Sequence, residues 1–122
     1  MVMSRQRARE LATCLGFSLI DSTLIATAIS EVARNIVNHA GNGQIVVFTV
    51  RDGGRLGICI VASDRGPGIA DMQRAMEEGY SSVGGFGLGL SSAKRLMDEF
   101  HLESAVGLGT TVTMKKWLRP QP

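Results

Sequence analysis

Apolar residues recur along this chain with two different periods, and the changes of period divide it into elements. Ala8, Leu11, Ala12 and Leu15 fall at i, i+3, i+4 and i+7, which predicts a helix over Arg5 to Leu15 ended by Gly16. Ile25, Ile29, Val32, Ile36 and Ala40 form the aliphatic stripe of a longer helix. That helix is expected to start from an N-cap at Asp21, run to about His39 and stop at Gly41-Asn42-Gly43. Gln44 to Val50 is rich in β-branched residues and reads as a strand, and Asp52-Gly53-Gly54 reads as a hairpin turn. Leu56 to Ser63 returns as a nearly all-apolar strand, which predicts a central place in the sheet. Asp71 to Glu78 reads as a short helix closed by Gly79, and Tyr80 to Gly85 as a loop without periodicity. A third long helix is expected from Leu88 to about Phe100, with Leu90, Ala93, Leu96, Met97 and Phe100 on one side. Two strands, Leu102 to Val106 and Thr110 to Leu118, are joined by a turn at Gly107-Leu108-Gly109. Hairpin-linked strands flanked by helices predict an α+β fold: a two-layer sandwich with the helices on one face of a mixed, mostly antiparallel sheet.

Composition narrows the class. A chain of 122 residues is expected to form one domain, 1–122, with a core large enough to need no staples. Hydrophobic content of 44% and charged content of 20% fit a soluble globular protein. A formal charge of +2 gives no reason to expect a nucleic-acid or membrane partner. No apolar run is long enough to span a bilayer and no signal-peptide pattern opens the chain, so the expected compartment is the cytoplasm. Cys14 and Cys59 lie in apolar segments and are expected to be buried free thiols. With His39 and His101 they make no zinc-like spacing.

The polar exceptions carry the candidate chemistry. Glu31, Asn35 and Asn38 fall within ~60° of one another on a helical wheel, away from the aliphatic stripe of the second helix. Leu24 and Ala28 share that side, so the row reads as half-buried rather than as an ordinary solvated face. An acid and an amide four residues apart suit a proton acceptor beside a divalent cation, because magnesium takes oxygen ligands and few of them from protein. On the helix alone, a surface acid with a helix-end amide is the simpler account. Asp64 is delivered to the end of the apolar strand and is followed by Gly66, Pro67 and Gly68. It could accept a hydrogen bond from the exocyclic amine of a base, or be a turn-forming Asp before Gly. Gly84, Gly85, Gly87 and Gly89 open the third helix, at an entropic cost that backbone approach to phosphates or a mobile lid would explain. Ser91 and Ser92 have no nucleophile-elbow context, and the chain has neither a Walker A pattern nor the loops of eukaryote-type protein kinases.

In order, Glu31-x3-Asn35, Asp64-x-Gly66-x-Gly68, Gly85-x-Gly87-x-Gly89 and Gly109-Thr110 resemble the four boxes of the GHKL ATPase superfamily. Within it, the stretches 28–36, 64–69 and 94–100 resemble the anti-sigma-factor-type serine/threonine kinases, above all the stressosome switch kinases of the RsbT type. The resemblance implies the Bergerat ATP-binding fold with ATP and Mg²⁺ as ligands. It implies Glu31 as general base, Asn35 as the magnesium residue, Asp64 on the adenine amine, and Gly66 and Gly68 shaping the base pocket. Gly85, Gly87 and Gly89 would close a lid over the phosphates, and Thr110 would support the adenine end through a water. It further implies a serine or threonine of a STAS-domain scaffold protein as phosphoacceptor and a phosphatase as the target activated afterwards, with a sigma factor as a further candidate partner. An ATP-dependent anti-sigma or phosphatase-binding module with little kinase activity is the alternative, and a detached histidine-kinase catalytic domain a third. Two departures stand out. Between Gly66 and Lys94 the only basic residue is Arg74, so charge neutralisation at the γ-phosphate is left to Mg²⁺, backbone N–H groups, Arg34 or a partner. The chain also begins almost at its first helix, where switch kinases usually have a preceding strand.

Overall fold

A computed structural model describes residues 2–41, 43–67 and 86–119, without the side chains of 2–5, 38, 39 and 86–89. The expected helix Asp71–Glu78, the loop Tyr80–Gly85, Gly68, Gly84 and Arg74 lie outside the described residues.

Among the described residues, three helices and four strands follow in the order α1 (Val2–Leu15), α2 (Leu19–Ala40), β1 (Gln44–Asp52), β2 (Arg55–Asp64), α3 (Phe86–Leu96), β3 (Glu99–Ala105) and β4 (Gly109–Trp117). α1 ends in a Schellman motif. Gly16, at φ +102°, donates its N–H to the Thr13 carbonyl, and Phe17 donates to that of Ala12. Ser18, not Asp21, caps α2. The Ser18 Oγ accepts the Asp21 N–H at 3.0 Å, and Asp21 sits in the first turn, where its charge favours the helix N-terminus. α2 packs against α1, α3 and the sheet, so residues on several sides of it are buried.

The strands lie in the order β1-β2-β4-β3, and every adjacent pair is antiparallel. The expected mixed character therefore has no parallel pair behind it among the described strands. β2 is central, as its apolar run predicts. Asp52 opposite Arg55 leaves Gly53-Gly54 as a two-residue turn with both φ values positive, the type I′ geometry that matches strand twist. On the helix-facing side, Ile58 and Ile60 of β2 and Val112 and Met114 of β4 meet Ile25, Ile29, Val32 and Leu90. Each such buried side chain contributes about 1.5–3 kcal/mol. The far face is less apolar, with Val46 and Phe48 of β1 exposed. At one end of that face Trp117 lies flat across Gly57, where a Cβ would come within 2.7 Å of the indole. The Arg55 guanidinium stacks over the ring at 4.2 Å, and the indole N–H donates to Glu99.

Two expectations are corrected. α3 stops at Leu96, and Phe100 belongs to β3. The Asp98 N–H donates to the Lys115 carbonyl and draws the chain onto β4 directly after the helix. Phe100 still faces the core, because a strand alternating Phe100 and Leu102 inward extends the same apolar side. Cys59 is buried and free, and burial pushes its thiol pKa up, with Lys115 partly offsetting the shift. Cys14 is exposed, because it lies on the outer side of α1 while Ala8 and Ala12 face inward.

Candidate functional site

The site forms where three chain segments end together. β2 ends at Asp64, α2 ends at Ala40, and the β3–β4 hairpin turns at Gly107. Asp64 is only 9% exposed. Its Oδ1 accepts the Gly66 N–H at 2.8 Å, an Asx-type turn that uses one of its two carboxylate oxygens. Gly66 passes so close to α2 that a Cβ would sit 2.6 Å from the Ala40 Cβ. At Gly43 likewise, a Cβ would sit 2.5 Å from the Ser63 carbonyl oxygen. Beyond Gly66, the Pro67 carbonyl accepts the Gly107 N–H and ties the glycine loop to the hairpin. The Asp64 segment is therefore held from both sides, by close packing at Gly43 and Gly66 and by the Pro67–Gly107 hydrogen bond.

Thr110 stands opposite Asp64 in the β2–β4 register and is buried. Its hydroxyl lies 3.0 Å from the Ser104 Oγ, which donates to the Gly109 carbonyl at 3.0 Å. A serine hydroxyl has one proton, so Thr110 is the donor to Ser104 and keeps its own lone pairs as acceptors beside Asp64. Residue-type reasoning passes over Ser104. The alternation that turns Phe100 and Leu102 inward would have found it. Gly43, Gln44, Ser63, Asp64, Arg65 and Thr111 line an open cleft of about 630 Å³. Ser63 and Thr111 alternate with the inward-facing Asp64 and Thr110, so this cleft reaches round the sheet end to the far face.

The remaining polar residues climb α2 away from this end. Asn35 is 5% exposed, and its Oδ1 has no hydrogen-bond partner among the described residues. Such an atom costs about 1–3 kcal/mol unless something outside the protein meets it. The Glu31 side chain is 21% exposed, and the Arg34 Nη1 lies 3.8 Å from its Oε2, an ion pair without hydrogen-bond geometry. The Asn38 and His39 side chains lie outside the described residues. At the helical rise, Asn35 stands about 7.5 Å and Glu31 about 13.5 Å along the axis from Ala40, where Gly66 and Asp64 meet α2. The order along α2 from this end is thus a hydrogen-bonding acid beside the helix terminus, then an unpaired amide oxygen, then a half-buried carboxylate. That order suits an elongated ligand with a base at one end and phosphates at the other.

Gly87 and Gly89 fall in the first turn of α3, which packs on α2. Gly85 and Gly68 lie outside the described residues. Among the described residues no group of three His, Cys, Asp or Glu could hold a metal unaided. The orphaned Asn35 Oδ1 nonetheless fits a single oxygen donor to a hard cation whose other ligands come from phosphates and water. No helix among the described residues is long and apolar enough to cross a membrane.

Comparison with known proteins agrees with this fold. Residues 20–120 match the family model described as histidine kinase-, DNA gyrase B-, and HSP90-like ATPase. The chain is 51% identical over 119 residues to the serine/threonine-protein kinase RsbT of Bacillus subtilis (strain 168), covering 98% of this chain and 90% of that protein. It is 34% identical over 101 residues to the anti-sigma F factor of Caldanaerobacter subterraneus subsp. tengcongensis, covering 77% of this chain and 68% of that one. Among solved structures, full-length ShkA in complex with AMPPNP shares the fold, with a TM-score of 0.57 and 24% identity. That match covers 78% of this chain, which spans 21% of the other. The chain belongs to the histidine kinase-, DNA gyrase B- and HSP90-like ATPase family.

Proposed function

We propose that residues 1–122 act as one catalytic unit that transfers the γ-phosphate of Mg-ATP to a serine or threonine of a STAS-domain protein, and then engages a phosphatase as a partner switch. Serine/threonine kinase activity follows from 51% identity to a serine/threonine-protein kinase along nearly the whole chain, and ATP use follows from the family. The observation that carries the reading of the site is the buried Asn35 Oδ1, unpaired and one helical turn from a half-buried carboxylate.

In this reading Asp64 accepts the adenine amine, with Thr110 beside it as a second acceptor and Gly66 and Gly68 letting the backbone pass under the base. Asn35, through its unpaired Oδ1, would hold the magnesium ion, which would supply charge neutralisation at the phosphates. Gly85, Gly87 and Gly89 bring backbone N–H groups to the phosphates. Glu31 takes the proton from the acceptor hydroxyl as its oxygen bonds to the γ-phosphorus. The bond from that phosphorus to the β–γ bridging oxygen breaks, and ADP carries the electron pair away. Such transfers rest on positioning and charge stabilisation more than on covalent chemistry. The work takes place in the cytoplasm, against protein partners that include, as a candidate, a sigma factor.

The reading is tested by titrating ATP calorimetrically into the protein with and without magnesium. Asn35→Ala is expected to lose the magnesium-dependent part of the affinity and keep the magnesium-independent part. Asp64→Ala is expected to lose both. An Asn35→Ala protein with undiminished magnesium dependence would remove Asn35 from the metal.

A further inference from the structure

Lys116 is the one inward-facing residue of β4 that its strand pattern would not choose. Val112 and Met114, four and two positions before it, face the same side and fill the core. Lys116 is buried as deeply, at 3% exposure. A buried amine is costly unless its protons are used. Its Nζ donates to the Leu96 carbonyl at 2.9 Å and lies 4.0 Å from the Asp98 Oδ1. The other oxygen of that carboxylate, Oδ2, accepts the Trp117 N–H at 2.8 Å, and the Asp98 N–H donates to the Lys115 carbonyl at 3.0 Å. Leu96 is the last residue of α3, so its carbonyl is among those a helix leaves without an internal partner. A positive charge there also meets the negative end of the helix dipole.

Leu90 and Ala93 bury α3 against α2 and the core, and Ser91 and Arg95 make polar or electrostatic contacts along it. At its C-terminal end, the Lys116 contact adds a further constraint. A charge-assisted hydrogen bond has direction and distance. The eleven residues of α3 make a rod about 16 Å long, and its far end is the Gly87-x-Gly89 turn. A shift at Leu96 is transmitted to those glycines.

We propose that Lys116 is a positioning residue for the phosphate end of the nucleotide site. By holding the Leu96 carbonyl to β4, it sets where the glycine turn at the start of α3 meets the phosphates. The inference rests on the placement of the phosphates given above. The adenine end, built from Asp64, Gly66 and Thr110, makes no contact with this catch and is independent of it.

That independence supplies the test. Affinities of the full chain for ATP and for adenosine are measured calorimetrically in Lys116→Met and Lys116→Arg, at a temperature where each is fully folded. Lys116→Met is expected to bind ATP about tenfold more weakly, with adenosine affinity unchanged. Lys116→Arg, whose guanidinium can still donate to a carbonyl, is expected to recover most of the loss. A purely structural lysine would lower the melting temperature but leave ATP and adenosine affinities unchanged, or lower both together, and either pattern overturns the proposal. Should Lys116→Met fail to fold, Asp98→Asn keeps the acceptor for Trp117 and removes only the charge. It is expected to show the same selective loss in smaller degree, and equal ATP affinity in that variant overturns the proposal. An unmodified chain that binds ATP no better than adenosine would overturn the placement of the phosphates itself, which separates the two failures.

Discussion

Replacing Glu31 with Gln is expected to slow phosphoryl transfer by about 10²–10⁴-fold while leaving ATP affinity unchanged. Gln keeps the size and hydrogen-bonding reach of Glu but cannot take up a proton. Glu31 stands about two and a half turns along α2 from the Ala40 end, away from Asp64, and the proposed mechanism gives it the acceptor hydroxyl. The substitution should cost little stability. Its pairing with Arg34 is loose, at 3.8 Å with the guanidinium 66% exposed, and exposed pairs of this kind contribute about 0–1 kcal/mol. The result separates a kinase from a binding module. A protein that only sequesters partners needs no base, so its Glu31→Gln variant would regulate normally. Steady-state kinetics with a protein substrate, together with nucleotide titration, decide between the two.

The second large effect is structural and falls on Gly109. At φ +120° a Cβ on this residue would lie 2.1 Å from the Asp64 carbonyl oxygen and 2.9 Å from the Arg65 Cα. Both obstacles are backbone, so neither can rotate away. Gly109→Ala must part β4 from β2 at the register step that sets Thr110 opposite Asp64. A loss of about 4 kcal/mol or more is expected, combining left-handed strain with an overlap that repacking cannot relieve. ATP binding should be lost with it. Gly107, two residues away at φ +83°, is the internal control, because a Cβ there meets nothing within 4 Å. Gly107→Ala is expected to cost only about 1–2 kcal/mol of backbone strain. Urea unfolding of the two variants checks this, and a Gly109→Ala protein within about 1 kcal/mol of the parent would contradict the contact.

The contrast between these glycines shows where sequence reasoning stops. Gly107-Leu108-Gly109 reads as a turn, and it is one. Nothing local reveals that Gly109 lies against a strand carrying Asp64, because that neighbour comes from β2. The same limit explains Lys116. As a residue type it belongs on the surface, and only the Leu96 carbonyl, brought in by a different element, makes its burial tolerable. The alternation Thr110, Val112, Met114, Lys116 did hold the signal, since period 2 points all four inward. Features set by local pattern were legible: the stripe of α2, the centrality of β2, the Gly53-Gly54 turn. The end of α3 was not, because Met97 and Phe100 satisfy helical spacing while Phe100 and Leu102 satisfy strand spacing, and β4 pairing decides between them. Leu24 and Ala28 mark the polar side of α2 as half-buried, and Glu31 is so, with Asn35 buried more deeply. Its chemical sense came only with the unpaired Asn35 oxygen, which no one-dimensional pattern contains.

The most direct measurement of the central claim is phosphosite mapping by mass spectrometry on a STAS-domain protein encoded near this chain, after incubation with the purified protein and Mg-ATP. The account predicts acid-stable phosphate on one serine or threonine, present with the unmodified chain and absent with Asn35→Ala. No phosphate on the STAS protein, or an acid-labile phosphohistidine in its place, would contradict it.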